Sequence, residues 1–196
     1  MLYIGIDLGT SACKLLLVDD AGQVRNTVTK EYPLSFPRPG WSEQDPAHWW
    51  AAVQSGVPEL LAGFDASEVK GIGAGGQMHG LVALDGTDHV LRPAILWNDG
   101  RTAKEVDYLN ETVGREKLSG YTANIAFAGF TAPKLLWMKE NEPDLFAKSR
   151  KSCCPRTIWS IVSPASTPRT IPTPPGCCYW TWSISAGAKR CAASAV

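Results

Sequence analysis

The sequence predicts an α/β fold built on a mixed sheet, and three observations carry that expectation. Tyr3 to Ile6 and Lys14 to Val18 are short β-favouring runs joined by a tight polar turn, Asp7-Leu8-Gly9-Thr10-Ser11. A third alternating run, Val24 to Tyr32, follows the turn Asp19-Asp20-Ala21-Gly22 and extends the pair into an antiparallel meander. Further on, polar clusters sit at the ends of apolar runs, where open α/β sheets place their ligands.

The remaining elements follow in order. Pro33 to Gly40 is a proline-rich loop leading to Trp41-Ser42-Glu43-Gln44-Asp45-Pro46. Asp45 is a good N-cap with proline at the first helical position, so a helix is expected from Pro46 to about Leu61. Its apolar face comprises Trp49, Val53, Val57 and Leu60, with Trp49 innermost, and Pro58 is expected to shorten it. Val69 to Gly76 reads as a buried strand that runs into Gln77-Met78-His79-Gly80. Gly80 to Leu84 and Pro93 to Trp97 read as further strands, the second delivering Asn98-Asp99-Gly100-Arg101 to its end. Helices are expected over Thr102 to Asn110, Arg115 to Leu118 and Lys134 to Glu140, the last after a loop from Gly129 to Pro133.

Composition narrows the function classes. Nineteen basic residues balance nineteen acidic ones, so nothing points to nucleic acid or an anionic membrane surface. No apolar run approaches the ~18 residues of a membrane span, and no secretory pattern opens the chain, so a cytoplasmic location is expected. The composition is not uniform, however. All nineteen acidic residues lie at or before Asp144. Ser152 to Val196 contains no Asp, Glu, Leu, Phe, Asn, Gln, His or Met, but holds six prolines, five of the six cysteines and three tryptophans. Such a stretch has no helical apolar stripe with a solvated face. Its adjacent pairs Cys153-Cys154 and Cys177-Cys178 lack the spacers of a zinc site.

A one-base frameshift accounts for this tail. With each codon slid back by one base, Cys178, Tyr179 and Trp180 all become Leu and Thr181 becomes Asp. Ser152 to Trp159 then allows Leu-Pro-Lys-Asp-Tyr-Leu. Residues 1–150 are therefore expected to be a partial domain and 151–196 a frameshifted, non-native tail.

Several residues carry chemistry, each beside a plainer reading. Backbone N–H groups and hydroxyls around Gly9, Thr10 and Ser11 suit a phosphate, with Asp7 facing a metal ion bound to it. An ordinary hairpin with a polar turn is the alternative. Gln77, His79, Trp97, Asn98 and Asp99 offer the hydrogen bonds and apolar plate that a sugar needs. Met78 alone would be core filler, and Asp99 with Arg101 would be a surface ion pair of little energetic worth. Cys13 reads as a small core residue, His48 and His89 as structural or exposed, and Lys134 as a lysine that snorkels at a helix start rather than a catalytic group.

Five segments together carry a resemblance. Ile4-Gly5-Ile6-Asp7-Leu8-Gly9-Thr10-Ser11, Trp41-Ser42-Glu43-Gln44-Asp45-Pro46, Gly76-Gln77-Met78-His79-Gly80, Trp97-Asn98-Asp99-Gly100-Arg101 and Gly129-Phe130-Thr131-Ala132-Pro133-Lys134 resemble the FGGY family of carbohydrate kinases, in that order. The resemblance implies an actin-like, ribonuclease-H-like domain with a mixed five-stranded sheet, present here only in part. It implies ATP and Mg2+ as cofactors, a ketose (D-xylulose) as substrate, and the option of a homodimer in the full-length enzyme. Asp7 would stand on the metal and phosphoryl side, with the metal held through water, and Gly9, Thr10 and Ser11 would form the phosphate turn. Gln77, Met78, His79, Asn98, Asp99 and Arg101 would lie on the sugar side. The family's carboxylate base lies outside this chain, which is then expected to be inactive alone. Another sugar of the same family, such as gluconate, or a non-catalytic actin-like fragment are the alternatives. The Arg-Glu type pair of glycerol kinases is replaced here by Met78-His79.

Overall fold

The computed structural model describes residues 1–155, and the segment 156–196, which holds most of the expected frameshifted tail, lies outside the described residues. The chain opens with strands β1 (Leu2–Leu8), β2 (Ala12–Asp19) and β3 (Val24–Glu31), a short strand β4 (Glu43–Gln44) and helix α1 (Pro46–Leu60). Strands β5 (Val69–Gly76), β6 (Val82–Leu84) and β7 (Ala94–Ile95) follow. Helices α2 (Ala103–Asp107), α3 (Arg115–Thr122), α4 (Thr131–Asn141) and α5 (Pro143–Lys148) then lead to strand β8 (Lys151–Cys153).

The main sheet has the order β3-β2-β1-β5. β1 pairs antiparallel with β2 and parallel with β5, so the sheet is mixed as expected. Alternation decides its faces. Leu2, Ile4, Ile6 and Leu8 are buried with Cys13, Leu15 and Leu17 of β2, while Tyr3 and Asp7 point to the open side. Helix α1 covers the apolar face with Trp49, Ala52, Val53 and Leu60. Gly56 is needed for that approach, because a Cβ there would come within 2.6 Å of Leu15 Cδ1. The Asp45 side chain caps the helix by accepting from Ala47 N at 2.9 Å, as its position before Pro46 predicts. Pro58 does not shorten the helix, which reaches Leu60: the missing N–H falls in the last turn, where little helix remains to be broken.

Other expectations need correction. Among the described residues the main sheet has four strands, not five, because the next two apolar runs do not join it. β6 pairs instead with β8, and β7 with β4, so Glu43 and Gln44 are brought alongside Ile95 and Ala94. β5 is not buried throughout: it forms a sheet edge, and Ile72 is left 46% exposed. The expected helix from Thr102 to Asn110 is split into α2 and a π-helical turn, Tyr108–Gly114. Asn110 ties this turn down by donating to Ala126 O and accepting from Ala126 N. α5, which the sequence reading left out, begins at Pro143. A second apolar cluster of Leu81, Ala83, Ile95, Trp137 and Met138 fixes α4 against β6 and β7. No helix among the described residues is long and apolar enough to cross a membrane.

Candidate functional site

Three chain segments meet beyond the C-terminal end of β1. The first is the β1–β2 turn. Gly9 N donates to Ala12 O at 3.0 Å, and a Cβ on Gly9 would lie 2.9 Å from that same oxygen, so the turn is too tight for any other residue. The second segment leaves β5, where Gln77 N donates to Leu8 O at 2.8 Å. The third leaves β7 and carries Trp97 and Asn98.

Gln44 and Gln77 stitch the three together. The Gln44 amide donates to Thr10 O at 2.6 Å, and its carbonyl accepts from Trp49 Nε1 at 2.9 Å and Gln77 Nε2 at 3.2 Å. Gln77 also reaches Gly9 O, at 3.4 Å. Trp97 Nε1–H donates to Thr10 Oγ1 at 3.0 Å, and the Tyr32 hydroxyl donates to Gly9 O at 2.5 Å. The turn is thus held by side chains from β3's end, β4, β5's end and β7's end. Gln44 and Tyr32 were missed as site residues by the sequence reading. Their only signal was a glutamine and a tyrosine flanking a proline-rich loop, and their role depends on contacts far along the chain.

Asp7 and Ser11 are exposed beside this hub. Asp7 stands opposite Lys14 in the β1–β2 register and beside Gly75 of β5, whose lack of a side chain leaves the carboxylate open. No group of three or more His, Cys, Asp or Glu among the described residues forms a metal cage. A single exposed carboxylate next to hydroxyls fits a hydrated Mg2+ that takes its other oxygens from water and phosphate. The buried Cys13 behind the turn is kept a neutral thiol by burial and, secondarily, by Asp7, its pKa pushed up to about 11.

Met78 and His79 follow on a sharp corner. Met78 is 43% exposed, so it is not core filler. His79 has φ 63°, the left-handed region, and Gly80 N closes the corner on Met78 O at 2.8 Å. The His79 ring stacks on Phe130 with centroids 4.5 Å apart. Burial, then the Lys134 ammonium, hold its imidazole below the usual histidine range.

Asp99 and Arg101 depart from the expected picture. The carboxylate of Asp99, 2% exposed, accepts from Ser42 N, Arg101 N, Arg101 Nε and Arg101 Nη2. The Arg101 guanidinium lies 3.6 Å over the Trp41 ring and 4.8 Å from the Trp137 ring, which stands edge-on to Trp41, and it pairs with Glu43 at 2.7 Å. Glu43 in turn pairs with Arg92, which binds Glu142 through two bonds of 2.7 Å. The pair is therefore buried rather than on the surface, because the two tryptophans close over it, and Arg101 Nη1 is left inside without a hydrogen-bond partner among the described residues. Asn98, by contrast, is exposed beside an open hollow of about 480 Å3 shared with Phe36, Arg38 and Trp41. His48 and His89 are exposed.

Lys134 also differs from its reading. It does not snorkel but is fully buried, and its ammonium donates to the carbonyls of Ala128 (3.1 Å), Gly129, Phe130 (3.2 Å) and His79 (3.4 Å). The signal was present: Lys134 shares a helix face with Trp137 and Met138, the buried stripe of α4.

Residues 2–161 match the N-terminal domain of the FGGY family of carbohydrate kinases. The chain is 44% identical over 155 residues to a xylulose kinase of Escherichia coli (strain K12), covering 79% of this chain and 32% of that protein. Among solved structures it is similar to a xyloylose kinase from Brucella ovis, with a TM-score of 0.77 and 44% identity over 82% of this chain and 34% of that one. A gluconate kinase from Lactobacillus acidophilus gives a TM-score of 0.72 at 29% identity, over 77% of this chain and 30% of that one. The chain thus spans about a third of the length of the relatives it matches.

Proposed function

Because the chain belongs to the FGGY family of carbohydrate kinases, with its actin-like fold, we propose that it is the sugar-side domain of an enzyme that phosphorylates D-xylulose to D-xylulose 5-phosphate. The observation that carries this reading is the convergence of the Gly9–Thr10 turn, Gln77 and Trp97 through direct hydrogen bonds. A phosphate cradle and a sugar-facing surface become one site by that contact.

Within the site Asp7 would face Mg2+, and Gly9, Thr10 and Ser11 would hold phosphate oxygens of ATP. Bound ATP and Mg2+ supply the transferable phosphoryl group and neutralise its charge. Gln77, Met78, His79 and Asn98 meet the sugar, Trp97 offers it an apolar plate, and a neutral imidazole at His79 both donates and accepts hydrogen bonds. Asp99 and Arg101 serve the sugar side indirectly by fixing the segment that carries Trp97 and Asn98. The family resemblance puts the carboxylate base outside these residues, and on that reading the chain alone would bind sugar without turning it over. Residues 151–196 are read as frameshifted, although the first three of them form β8 and pair with β6.

Calorimetric titration of the chain with D-xylulose, D-gluconate and glycerol tests the reading. Heat with D-xylulose alone, abolished in His79→Ala, is expected, with no ADP formed when ATP is added. Preference for gluconate would transfer the proposal to that sugar, and silence with all three would leave an inert fragment. Resequencing the coding DNA across Arg150 tests the tail: a missing or extra base is expected there.

A further inference from the structure

Lys134 is placed where helix physics opposes it. It lies in the second half of the first turn of α4, whose N-terminal end carries the positive end of the helix dipole, and it is wholly inside the protein. Its pKa is lowered to about 7, chiefly by burial, with Asp99 opposing and Arg101 adding to the lowering. An ammonium in such a position is unfavourable unless its donors are all satisfied. They are satisfied by main chain: the carbonyls of Ala128, Gly129 and Phe130 just before the helix, and that of His79 from 55 residues earlier. Phe130, the N-cap of α4, supplies no side-chain cap of its own.

His79 is the far end of this cage. Its carbonyl accepts from Lys134 Nζ and also from Thr131 Oγ1 at 3.1 Å, and its ring stacks on Phe130. A non-glycine residue at φ 63° is held against its own preference, and three contacts from residues 130–134 hold it. The same segment fixes the neighbouring site residue, since Gly129 packs against the Trp97 carbonyl so closely that a Cβ there would lie 2.8 Å from it.

We propose that Lys134 is a positioning residue for sugar recognition: its ammonium gathers the 128–130 carbonyls and the His79 carbonyl into one knot that sets the left-handed corner presenting Met78 and His79. This rests on the reading of that corner as the sugar contact. Lys134 touches neither sugar nor phosphate in this role. It acts through the main chain, so its loss should alter the corner before it alters the fold.

The test uses the 196-residue chain and its three histidines, followed by NMR. In the unsubstituted chain, D-xylulose should shift the His79 ring signals; no shift would refute the sugar assignment and leave the knot itself to be judged by the variants. Lys134→Met should keep cooperative urea unfolding but lose the strong intraresidue amide–Hα contact of a left-handed His79. D-xylulose should then bind about tenfold more weakly, the scale of one lost charged hydrogen bond. Retention of both the His79 signature and the affinity would overturn the proposal. If Lys134→Met does not fold, Thr131→Val removes the other donor to His79 O with the lysine in place. A folded Thr131→Val with His79 displaced and binding weakened supports the knot, and one with neither change overturns it.

Discussion

The indole N–H of Trp97 donates to Thr10 Oγ1 across 3.0 Å, so two turns 87 residues apart in sequence touch directly. Trp97→Phe keeps the apolar plate and removes the donor, while Thr10→Val removes the acceptor. Combined in a double-mutant cycle by urea unfolding, they should show a coupling of about 0.5–1.5 kcal/mol. A coupling of zero would mean that the phosphate turn and the sugar side are held independently.

Arg101 lies against two indole rings set edge to face, with its side chain 1% exposed and paired to two carboxylates. Lysine has neither the planar group nor the fork that this position uses, so Arg101→Lys should cost about 3–5 kcal/mol, as for a broken buried pair. That is a large part of a small domain's stability, and the urea midpoint should fall steeply. A lysine variant with an unchanged midpoint and weakened sugar binding would instead place Arg101 against the substrate.

His79 should titrate below the ordinary histidine value of 6.5, since burial and then the Lys134 charge disfavour its imidazolium. The unfolded chain takes up that proton first as the pH falls. The contribution of neutral His79 to stability is therefore complete above about pH 6.5 and declines below it, down to the lowered native value. Ring-proton titration by NMR checks this, and Lys134→Met should move the midpoint upward. A native midpoint above 6.5 would contradict the burial described.

Gly129→Ala would push a methyl to 2.8 Å from the Trp97 carbonyl oxygen, a main-chain atom with little room to give. The expected cost is about 1–3 kcal/mol, with a changed tryptophan fluorescence maximum as the Trp97 segment shifts. Wild-type stability and fluorescence would show that the two loops do not approach so closely.

Much of the frame was legible in the chain. The β-favouring run Tyr3 to Ile6 gave away β1, which extends through Leu8 of the expected turn, and Asp45-Pro46 marked the start of α1 to the residue. Period-two alternation and capping act within a few residues, so the local sequence carries them whole. The short runs ending in Leu84 and Trp97 are strands as the sequence suggests, but run length and hydrophobicity do not say which edge will receive them. Of the candidate site residues named by type, Gly9, Thr10 and Gln77 are brought into contact by the fold. The burial of Asp99 and Arg101 could not be read from the sequence: whether a charged pair faces solvent or lies under Trp41 and Trp137 depends on rings 60 and 36 residues away from Arg101.

The sequence by itself determined the meander, the capped helix, the tight glycine turn and the family of sugar kinases to which the chain belongs. Only the tertiary structure decided that Gln44 and Tyr32 hold the Gly9–Thr10 turn, that Arg101 is enclosed, and that Lys134 ties the His79 corner to α4. Strand period, caps and turns are set by near neighbours along the chain. The burial of a charge is set by which distant side chains close over it, and that is fixed only when the sheet, its flanking helices and their loops have packed together.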